Sequence, residues 1–315
     1  MQDQLIESQR DQLNDMQLYL VDEYVEDFQE GLLTRREALR RIAAISGSMA
    51  FATALLAACG AEPATTAPTA TTASGATSAP TTAPTAASGG AATPAPTPAP
   101  PDPAVSVAET DPAVSASMVE FPGDGATLMG YLARPSADGA YPIILVCHEN
   151  RGLTPHIQDV ARRLAKVGYA ALAVDLLSRE GGTAKLGADA IPGALGGMPE
   201  GQPVADFQAG LKYVQAQPFA DKAKVGMVGF CYGGGVTWRV ATKTPELKAA
   251  VPFYGPAPKI EEVPGISAAV LAVYAEQDTR INEGIPAIEE AMKANGKTFE
   301  KQIFPGVNHA FHNDT

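Results

Sequence analysis

The sequence predicts an α/β protein with a mostly parallel, doubly wound sheet and helices on both faces. From about residue 114 onward, short apolar runs alternate with segments that have helical periodicity. Most of these runs are continuously apolar, as in the strands of a parallel sheet that is covered on both sides. Alternation of this kind is typical of the doubly wound class. Roughly 200 residues are enough for one well-packed domain.

Eight apolar runs predict the strands, and four periodic segments predict helices between them. The strands are expected near Val119, Leu128, Ile143, Ala170, Val225, Ala249, Val270 and Phe299. The helices are expected over Ile157–Val167, Val204–Gln217, Val236–Thr244 and Ile285–Asn295. Because the carboxyl ends of parallel strands meet at one edge of a sheet, polar residues that follow these strands are the candidates for a site.

The segment 228–234, Val-Gly-Phe-Cys-Tyr-Gly-Gly, has the form of a nucleophile elbow with cysteine at the nucleophile position. In this motif the nucleophile occupies a sharp, strained turn between a strand and a helix, where small neighbours are required. Gly229 and Gly233 supply those neighbours. The following helix would favour negative charge near Cys231 through its N-terminus. The alternative is a buried structural cysteine beside a glycine-rich turn.

Two later residues complete a nucleophile, acid and histidine order. Asp278 follows an apolar strand, and His309 lies in a loop just after the strand near Phe299. A lone aspartate in a turn is usually a helix cap, and a lone histidine in a loop is usually solvated. Their order, each after its own strand, favours a triad in which His309 is the base for Cys231 and Asp278 orients the histidine.

The strand near Ile143 breaks into the polar segment 148–153. In a site of this kind the turn after that strand donates one oxyanion-hole N–H, and the residue after the nucleophile donates the other. We therefore expect the backbone N–H groups of Asn150 and Tyr232 to form the oxyanion hole. Glu149 would point into the site, where its carboxylate needs a hydrogen-bond donor, and the thiol of Cys231 is the expected donor.

Together these motifs resemble the dienelactone hydrolase family, the carboxymethylenebutenolidase-like cysteine hydrolases of the α/β-hydrolase fold. The resemblance is carried by Gly-Phe-Cys-Tyr-Gly-Gly at 229–234, His-Glu-Asn-Arg-Gly-Leu at 148–153, Glu-Gln-Asp at 276–278 and Pro-Gly-Val-Asn-His-Ala-Phe at 305–311. It implies a catalytic triad of Cys231, Asp278 and His309, with Glu149 holding the resting thiol neutral until substrate displaces it. The reaction it implies is the opening of an unsaturated lactone that carries a carboxylate.

The resemblance is weaker at the residues that would bind that carboxylate. Family members use arginines, and segment 175–179 is similar to the segment that carries one of them, so Arg179 is the candidate for substrate binding. The alternative is an arginine in a surface loop. The second arginine is expected four residues after the catalytic histidine, where this chain has Asn313. The aromatic residues expected after the first arginine are absent from residues 180–201.

Residues 1–58 have the pattern of an export signal. Segment 34–40 resembles a twin-arginine signal, and an apolar run follows over Ile42–Ala57. Segment 56–60 resembles a lipobox, in which Cys59 would be acylated and become the mature N-terminus. About 16 apolar residues are few for a membrane span of around 20, so an uncleaved anchor is the alternative. We expect the twin-arginine machinery to export the protein, and a lipid to anchor it at the outer face of the cytoplasmic membrane.

An acidic stretch precedes the two arginines. Residues 1–33 contain nine acidic residues against one arginine. Apolar residues recur there at helical spacing, namely Leu13, Met16, Leu20, Tyr24 and Phe28. This spacing indicates a transient amphipathic helix, and a long signal n-region without structure is the alternative. The chain without residues 1–58 would be mildly acidic, which disfavours binding to nucleic acid.

A low-complexity segment separates the signal from the catalytic domain. From Ala61 to about Pro103 the chain consists almost entirely of Ala, Thr, Pro, Ser and Gly, which cannot bury enough surface to fold. We therefore expect residues 59–113 to be a lipidated cysteine with a disordered tether, and residues 114–315 to be the catalytic domain. Relatives continue past the catalytic histidine into a closing helix, which we expect to be missing here.

Three functions are compatible with a reactive cysteine in this setting. The favoured one is a cysteine-dependent hydrolase of small esters or lactones that acts through a covalent acyl-enzyme. A thiol-based redox lipoprotein is an alternative, although Cys-x-x-Cys and an evident resolving cysteine are missing. An inactive tethered binding module is the third.

Several further expectations concern metals, cysteines and assembly. The four histidines lack the spacing of a zinc site, so neither a metal nor another cofactor is expected. Cys147 should pack as a small hydrophobe, and both Cys147 and Cys231 should remain reduced. The oligomeric state is open, with a monomer favoured.

Overall fold

The computed structural model describes residues 2–59 and 106–313. Within them, eight strands form one sheet: β1 (Val114–Pro122), β2 (Thr127–Pro135), β3 (Tyr141–Cys147), β4 (Ala170–Asp175), β5 (Ala220–Phe230), β6 (Ala249–Phe253), β7 (Ala269–Ala275) and β8 (Phe299–Phe304). The helices are α1 (Gln2–Arg10), α2 (Asp15–Gln29), α3 (Arg35–Ser46), α4 (Met49–Ala58), α5 (Pro155–Lys166), α6 (Ile191–Gly196), α7 (Gln202–Gln215), α8 (Tyr232–Lys243), α9 (Thr279–Asn282) and α10 (Ile285–Ala294).

The strand order is β1-β2-β4-β3-β5-β6-β7-β8. Strand β2 runs antiparallel to both β1 and β4, and every other neighbouring pair is parallel. The eight predicted strands and the four predicted helices are all present. This confirms the mostly parallel, doubly wound architecture, and it brings the carboxyl ends of β3, β5, β7 and β8 to one edge of the sheet.

Helices cover both faces of the central strands. Gly210 of α7 lies beside Leu172 and Val174 of β4, whereas α5 lies on the side of Ile144 in β3. Ile144 pairs with Ala171, and the side chains of the neighbours Ala171 and Leu172 point to opposite faces of the sheet. Helices α5 and α7 therefore lie on opposite faces. All six residues of β4 are buried, which accounts for its continuous apolar sequence.

The core contains Cys147, whose packing was predicted, and Trp238. Trp238 of α8 and Cys147 of β3 are both completely buried. Cys147 and Cys231 are free thiols, as expected. Cys147 therefore serves as a small apolar side chain in the central strand.

The N-terminal helices belong to the same compact unit as the sheet. Helix α2 contacts α3, α6 and α8, and α3 contacts α4 and α6. The predicted apolar stripe of α2 is buried, since Met16, Leu20, Tyr24 and Phe28 all lie in the core. The amphipathic helix that this spacing predicts is therefore present as α2, with packing partners, in place of the unstructured n-region that was the alternative. A role of residues 1–58 as an export signal stays a prediction.

The apolar run 42–57 is divided between two helices. Gly47, with φ of 69°, ends α3 in the left-handed conformation, and the side chain of Ser48 caps the first turn of α4. Among the described residues, no helix is long and apolar enough to cross a membrane.

The described part of the domain that contains the sheet begins before its predicted boundary at residue 114. The carboxylate of Asp159 in α5 accepts hydrogen bonds from the N–H groups of Ser106 (3.1 Å) and Val107 (2.7 Å). Arg162 donates to the carbonyl of Val107 at 2.6 Å. Residues 106–113 are thus attached to α5. The rest of the predicted tether, residues 60–105, lies outside the described residues.

An apolar groove of about 450 Å³ lies on the α5 side of the sheet. Ile144, Val228 and Val251 of the three central strands line it and are half-buried. Residues 305–313, which follow β8, form turns and no helix. One face of β3, β5 and β6 is therefore only partly covered by the described residues.

Candidate active site

Cys231 occupies a strained turn between β5 and α8. Its backbone has φ of 56° and ψ of −119°, a conformation that costs a residue with a side chain roughly 1–3 kcal/mol. The neighbouring glycines are required by close contacts. A Cβ on Gly229 would lie 2.1 Å from the carbonyl oxygen of Gly233, and a Cβ on Gly233 would lie 2.5 Å from that of His148. The sequence folds here as the elbow motif predicts.

Asp278 and His309 are joined by a hydrogen bond between their side chains. Oδ2 of Asp278 lies 2.5 Å from Nδ1 of His309, and Oδ1 accepts from the N–H of Ile281 at 3.2 Å. Asp278 is buried and caps α9, which follows β7. A carboxylate in this position fixes the tautomer in which Nδ1 carries the proton and Nε2 faces the nucleophile.

The reacting side of His309 and the thiol of Cys231 meet residues from α2. Sγ of Cys231, a nitrogen of His309 and a carboxylate oxygen of Glu23 all lie within 4.8 Å of one another. Oε1 of Glu23 is 3.1 Å from Nε2 of His309 and accepts from Sγ of Cys231 at 3.6 Å. The hydroxyl of Tyr19 donates to the same sulfur at 3.2 Å. The structure thus assembles the three predicted triad residues and adds two that were not predicted.

Arg280 holds Glu23 in place. It forms an ion pair with Glu23 and a second one with Glu26, whose Oε2 lies 2.9 Å from Nε. Its guanidinium carbon lies 4.9 Å from the ring centroid of Tyr19. Three side chains of α2 therefore converge on this one arginine, which stands two residues after Asp278.

These contacts change the protonation of the site. Burial alone would raise the pKa of Glu23, but His309, Arg280 and Tyr19 outweigh it and lower the pKa to about 2. Burial would lower the pKa of His309, but the carboxylates of Glu23 and Asp278 raise it well above its ordinary value. Burial, followed by the charge of Glu23, raises the pKa of the Cys231 thiol. With Glu23 in place, the histidine is an imidazolium beside a neutral thiol.

Glu149 is buried at the site but does not contact the thiol as expected. Its Oε2 accepts a hydrogen bond from the side chain of Asn313, and the thiol of Cys231 donates to Glu23 instead. Burial raises the pKa of Glu149. The expectation failed because a second carboxylate, from α2, reaches the sulfur. His148 fixes the backbone of Glu149, since its Nδ1 lies 2.7 Å from the carbonyl oxygen of Glu149.

The two predicted oxyanion-hole donors lie at the elbow and at the β3–α5 turn. Tyr232 is the first residue of α8, and Asn150 lines the cavity beside Cys231 and Glu149. Within the described residues, no acceptor is bonded to either N–H. Their assignment as an oxyanion hole stays a prediction, and both groups are available for that role.

Arg179 lies outside the cavity, contrary to its predicted role in substrate binding. Its guanidinium forms a 2.6 Å ion pair with the completely buried Asp206 of α7 and donates to the carbonyl of Asp124 at 3.0 Å. This pairing explains the difference, because the buried carboxylate of Asp206 needs a cation. The described arginines near the site are Arg280, which pairs with Glu23, and Arg41 and Arg151, which line the cavity.

A cavity of about 620 Å³ opens beside Cys231 and His309. Helices α2 and α3 form one wall, and the turn after β3 and helix α6 form the other. Carboxylates dominate its lining, namely Glu23, Glu26, Asp27, Glu30, Glu37 and Glu149, whereas Arg41 and Arg151 supply the guanidinium groups. Burial and the charge of Glu23 raise the pKa of Asp27 to about 6.

Among the described residues, Glu23, Cys231 and His309 also form a cluster whose side-chain donor atoms could hold a metal ion. Thiolate, imidazole and carboxylate are the ligands that zinc takes in proteins. Such an ion would occupy both the sulfur and the imidazole that acyl transfer needs, so it would be an inhibitor there.

Sequence reasoning missed Tyr19, Glu23 and Arg280. Tyr19 and Glu23 are four residues apart and so lie on one face of α2, which is the signal that was available. Nothing local distinguishes Glu23 from the other acidic residues of that segment. Its partners are more than 200 residues away in the chain.

Comparison with known proteins agrees with the geometry. Residues 128–315 match the model of the dienelactone hydrolase family. A protein of Salmonella typhi, provisionally named carboxymethylenebutenolidase, is 36% identical over 220 residues, which are 65% of this chain and 80% of that protein. One of Escherichia coli K12 with the same provisional name is 33% identical over 228 residues, 67% of this chain and 83% of its own. A crystal structure of a provisionally named dienelactone hydrolase from Klebsiella pneumoniae aligns with TM-score 0.59 and 32% identity, covering 64% of this chain and 90% of that one.

Proposed function

Because the chain belongs to the dienelactone hydrolase family and is a hydrolase of that kind, we propose that it cleaves small esters or lactones with Cys231 as a covalent nucleophile. The observation that carries the proposal is the 2.5 Å bond between Asp278 and His309, in which the opposite ring nitrogen is directed toward the strained cysteine. Nucleophile, base and orienting acid stand in the order that this chemistry requires.

The first half of the reaction acylates the cysteine. His309 Nε2 accepts the thiol proton, and the sulfur attacks the carbonyl carbon of the substrate to give a tetrahedral oxyanion. The N–H groups of Asn150 and Tyr232 would stabilise that charge. The oxyanion then collapses, the C–O bond to the leaving oxygen breaks, and His309 returns the proton to that oxygen. The product is a thioester, and in a lactone the leaving oxygen remains attached to the acyl chain.

The second half releases the acid. A water molecule gives a proton to His309 and attacks the thioester carbonyl, and the carbon–sulfur bond then breaks. The proton passes to the sulfur, so the thiol and the neutral imidazole are restored. Asp278 stabilises the imidazolium in both halves. Glu149 lies beside this path, and its carboxylate is bonded to Asn313 rather than to the thiol.

Hydrolysis of p-nitrophenyl acetate and of an unsaturated lactone by the purified full chain tests the proposal. We expect Cys231→Ala to abolish turnover, and electrospray mass spectrometry to find an acyl adduct on Cys231 during turnover. Cys147→Ala is the matched control, because Cys147 is a buried thiol at the same edge of the sheet but away from His309. Undiminished turnover in folded Cys231→Ala would refute a cysteine mechanism.

We further propose that Cys59 is lipidated and that the twin-arginine machinery exports the chain. The proposal is supported by the paired Arg35 and Arg36, the apolar run after them and the small residues before Cys59. Mass spectrometry of a membrane fraction should find an N-terminus at Cys59 that bears acyl chains. A membrane-associated chain that retains residues 1–58 would contradict processing at this cysteine.

A further inference from the structure

The atoms that must react in Cys231 and His309 are both occupied by side chains of α2. Sγ of Cys231 accepts a hydrogen bond from Tyr19 and donates one to Glu23, and only 3% of Cys231 is exposed. Nε2 of His309 faces the same carboxylate at 3.1 Å. The base cannot take the thiol proton while its nitrogen is protonated and paired with Glu23.

We infer that α2 is an intramolecular inhibitor of the proposed hydrolase, and that the Glu23 carboxylate occupies an anion subsite whose cation is Arg280. The inference rests on the proposed function, because it requires Cys231 to be the nucleophile. A carboxylate that is part of an acyl substrate would pair with Arg280 in place of Glu23 and leave Nε2 of His309 free to accept the thiol proton, so Glu23 and such a substrate compete for one position.

The attachment of α2 is specific rather than a general apolar contact. Glu23 is buried between a cation from α9 and the catalytic histidine, and Glu26 adds a second ion pair to the same Arg280. Met16 and Leu20 bury the apolar face of the helix. Asn14 and Gln17 form a capping box that fixes where the helix begins. Position and register of Glu23 are therefore defined by several independent contacts.

Docking of α2 also reverses the charge that a substrate meets. With α2 and α3 in place, carboxylates from both helices line the cavity and would repel an anion. When these helices leave, Glu149 is the carboxylate of the described lining that remains, and Arg151 and Arg280 supply positive charge. Release of α2 therefore favours anionic acyl groups.

The connectivity of the chain gives a route to release. Helices α1–α4 precede residues 60–105, and the hydrolase domain follows them. Removal of residues 1–58, as processing at Cys59 would do, separates Glu23 from Arg280 irreversibly. Withdrawal of the same segment by another protein would uncover the site reversibly.

The rate at which iodoacetamide alkylates Cys231 tests the inhibition without requiring turnover. The full chain is used with Cys59→Ser, and peptide mapping by mass spectrometry assigns the alkylated residue. Glu23→Ala removes the inhibitory carboxylate and keeps the helix, because alanine is the best helix former. We expect the rate to rise at least about tenfold, since the accessible fraction increases. Asp22→Ala is the matched control: it also removes a carboxylate and an ion pair from α2, but that pair is with Arg10 of α1 at 2.8 Å, so its rate should stay within about twofold of the parent.

The subsite is tested by the charge of the reagent. In Glu23→Ala, the ratio of the iodoacetate rate to the iodoacetamide rate should rise at least about fivefold over the parent, because Arg280 attracts the anion. In Glu23→Ala with Arg280→Gln the ratio should return to the parent value. A ratio that Arg280→Gln does not change would overturn the anion subsite.

The two proposals fail in different ways. If Glu23→Ala speeds alkylation and no variant turns over an ester, the inhibition stands and the hydrolase proposal fails. If the parent turns over esters and Glu23→Ala slows both alkylation and turnover, α2 contributes to the active site. The inference that α2 is an inhibitor is then wrong. A protease site inserted within residues 62–102 gives a second measurement: cutting and dilution should speed alkylation, and an unchanged rate after the N-terminal fragment has been separated would contradict the inference.

Discussion

Oε1 of Glu23 lies 3.1 Å from Nε2 of His309, while the other ring nitrogen is 2.5 Å from Asp278. The imidazole is thus held between two carboxylates, one of which the reaction needs and one of which opposes it. Each carboxylate stabilises the imidazolium, and the second one occupies the nitrogen that must accept a proton. The site is assembled, and acyl transfer requires Glu23 to leave Nε2 of His309 first.

The pair of Glu23 and His309 makes stability depend on pH. The pKa of Glu23 is about 2 in the folded chain against an ordinary 4.5, so its contribution is complete above 4.5 and is lost as the pH falls toward 2. The pKa of His309 is raised above an ordinary 6.5, so its contribution is complete below 6.5 and is lost as the pH rises through the folded value. We expect Glu23→Gln to cost on the order of 3 kcal/mol between these limits and less on either side.

Urea denaturation from pH 3 to pH 9 measures this profile. Glu26→Gln, at the half-exposed rim of the same helix, should cost less than about 1 kcal/mol throughout. A cost for Glu23→Gln that is the same at every pH would refute the charge pairing.

Asp278→Asn should lower kcat by about three to four orders of magnitude, because an amide cannot hold His309 in the required tautomer. Asparagine still caps a helix, so α9 should persist and the melting temperature should change little. Steady-state kinetics with p-nitrophenyl acetate and a thermal melt check both expectations. Retention of more than a tenth of kcat would mean that Asp278 does not orient the base.

Gly229→Ala should destabilise the fold by at least about 3 kcal/mol, because the added Cβ would lie 2.1 Å from the carbonyl oxygen of Gly233. Backbone atoms on both sides of the elbow leave no room to move. Gly187→Ala is the control: nothing lies within 4 Å of its Cβ, and the change should stay within about 0.5 kcal/mol. Urea denaturation measures the unfolding free energy of both variants. An equal loss of stability in the two would contradict the close packing at the elbow.

Asp159→Ala should destabilise the domain by about 3–5 kcal/mol, because Arg162 is buried and would lose its neighbouring carboxylate. Hydrogen exchange at the amides of Ser106 and Val107 should accelerate, since both donate to Asp159. Asp111→Ala, which breaks the half-exposed pair with Lys166, should cost less than about 1 kcal/mol. Protected amides at 106 and 107 in Asp159→Ala would show that another contact holds this segment.

The sheet could be predicted from sequence because each of its signals is local. Buried parallel strands are continuously apolar, and the elbow around Cys231 carries its own glycines. Asp278 and His309 follow from the same logic, since each comes directly after a strand. Those three residues therefore needed no knowledge of the packing of distant segments.

The contacts that control the site could not be predicted in this way. Glu23 reaches Cys231 across more than 200 residues, and an acidic segment before two arginines suggests a signal rather than an inhibitor. The partner of Arg179 was missed for a similar reason, because Asp206 lies on α7 and its burial is visible only in the folded chain. Glu149 was expected to accept a hydrogen bond from the Cys231 thiol, but the carboxylate that accepts it is Glu23 of α2.

The turn at Gly47 divides residues 35–58 into two helices, so a receptor that bound this segment as one extended stretch would require a different conformation. A receptor that binds this segment as one extended apolar stretch must undo the turn between α3 and α4 and withdraw their buried side chains, namely Ile42, Ile45, Phe51 and Leu55. At about 1.5–3 kcal/mol for each side chain, that withdrawal competes with folding. Since α3 contacts α2, engagement of the segment also loosens the helix that covers Cys231. Binding of such a receptor to residues 35–58 would then be coupled to activation of the enzyme. The reactivity of the Cys231 thiol would report whether the receptor is bound.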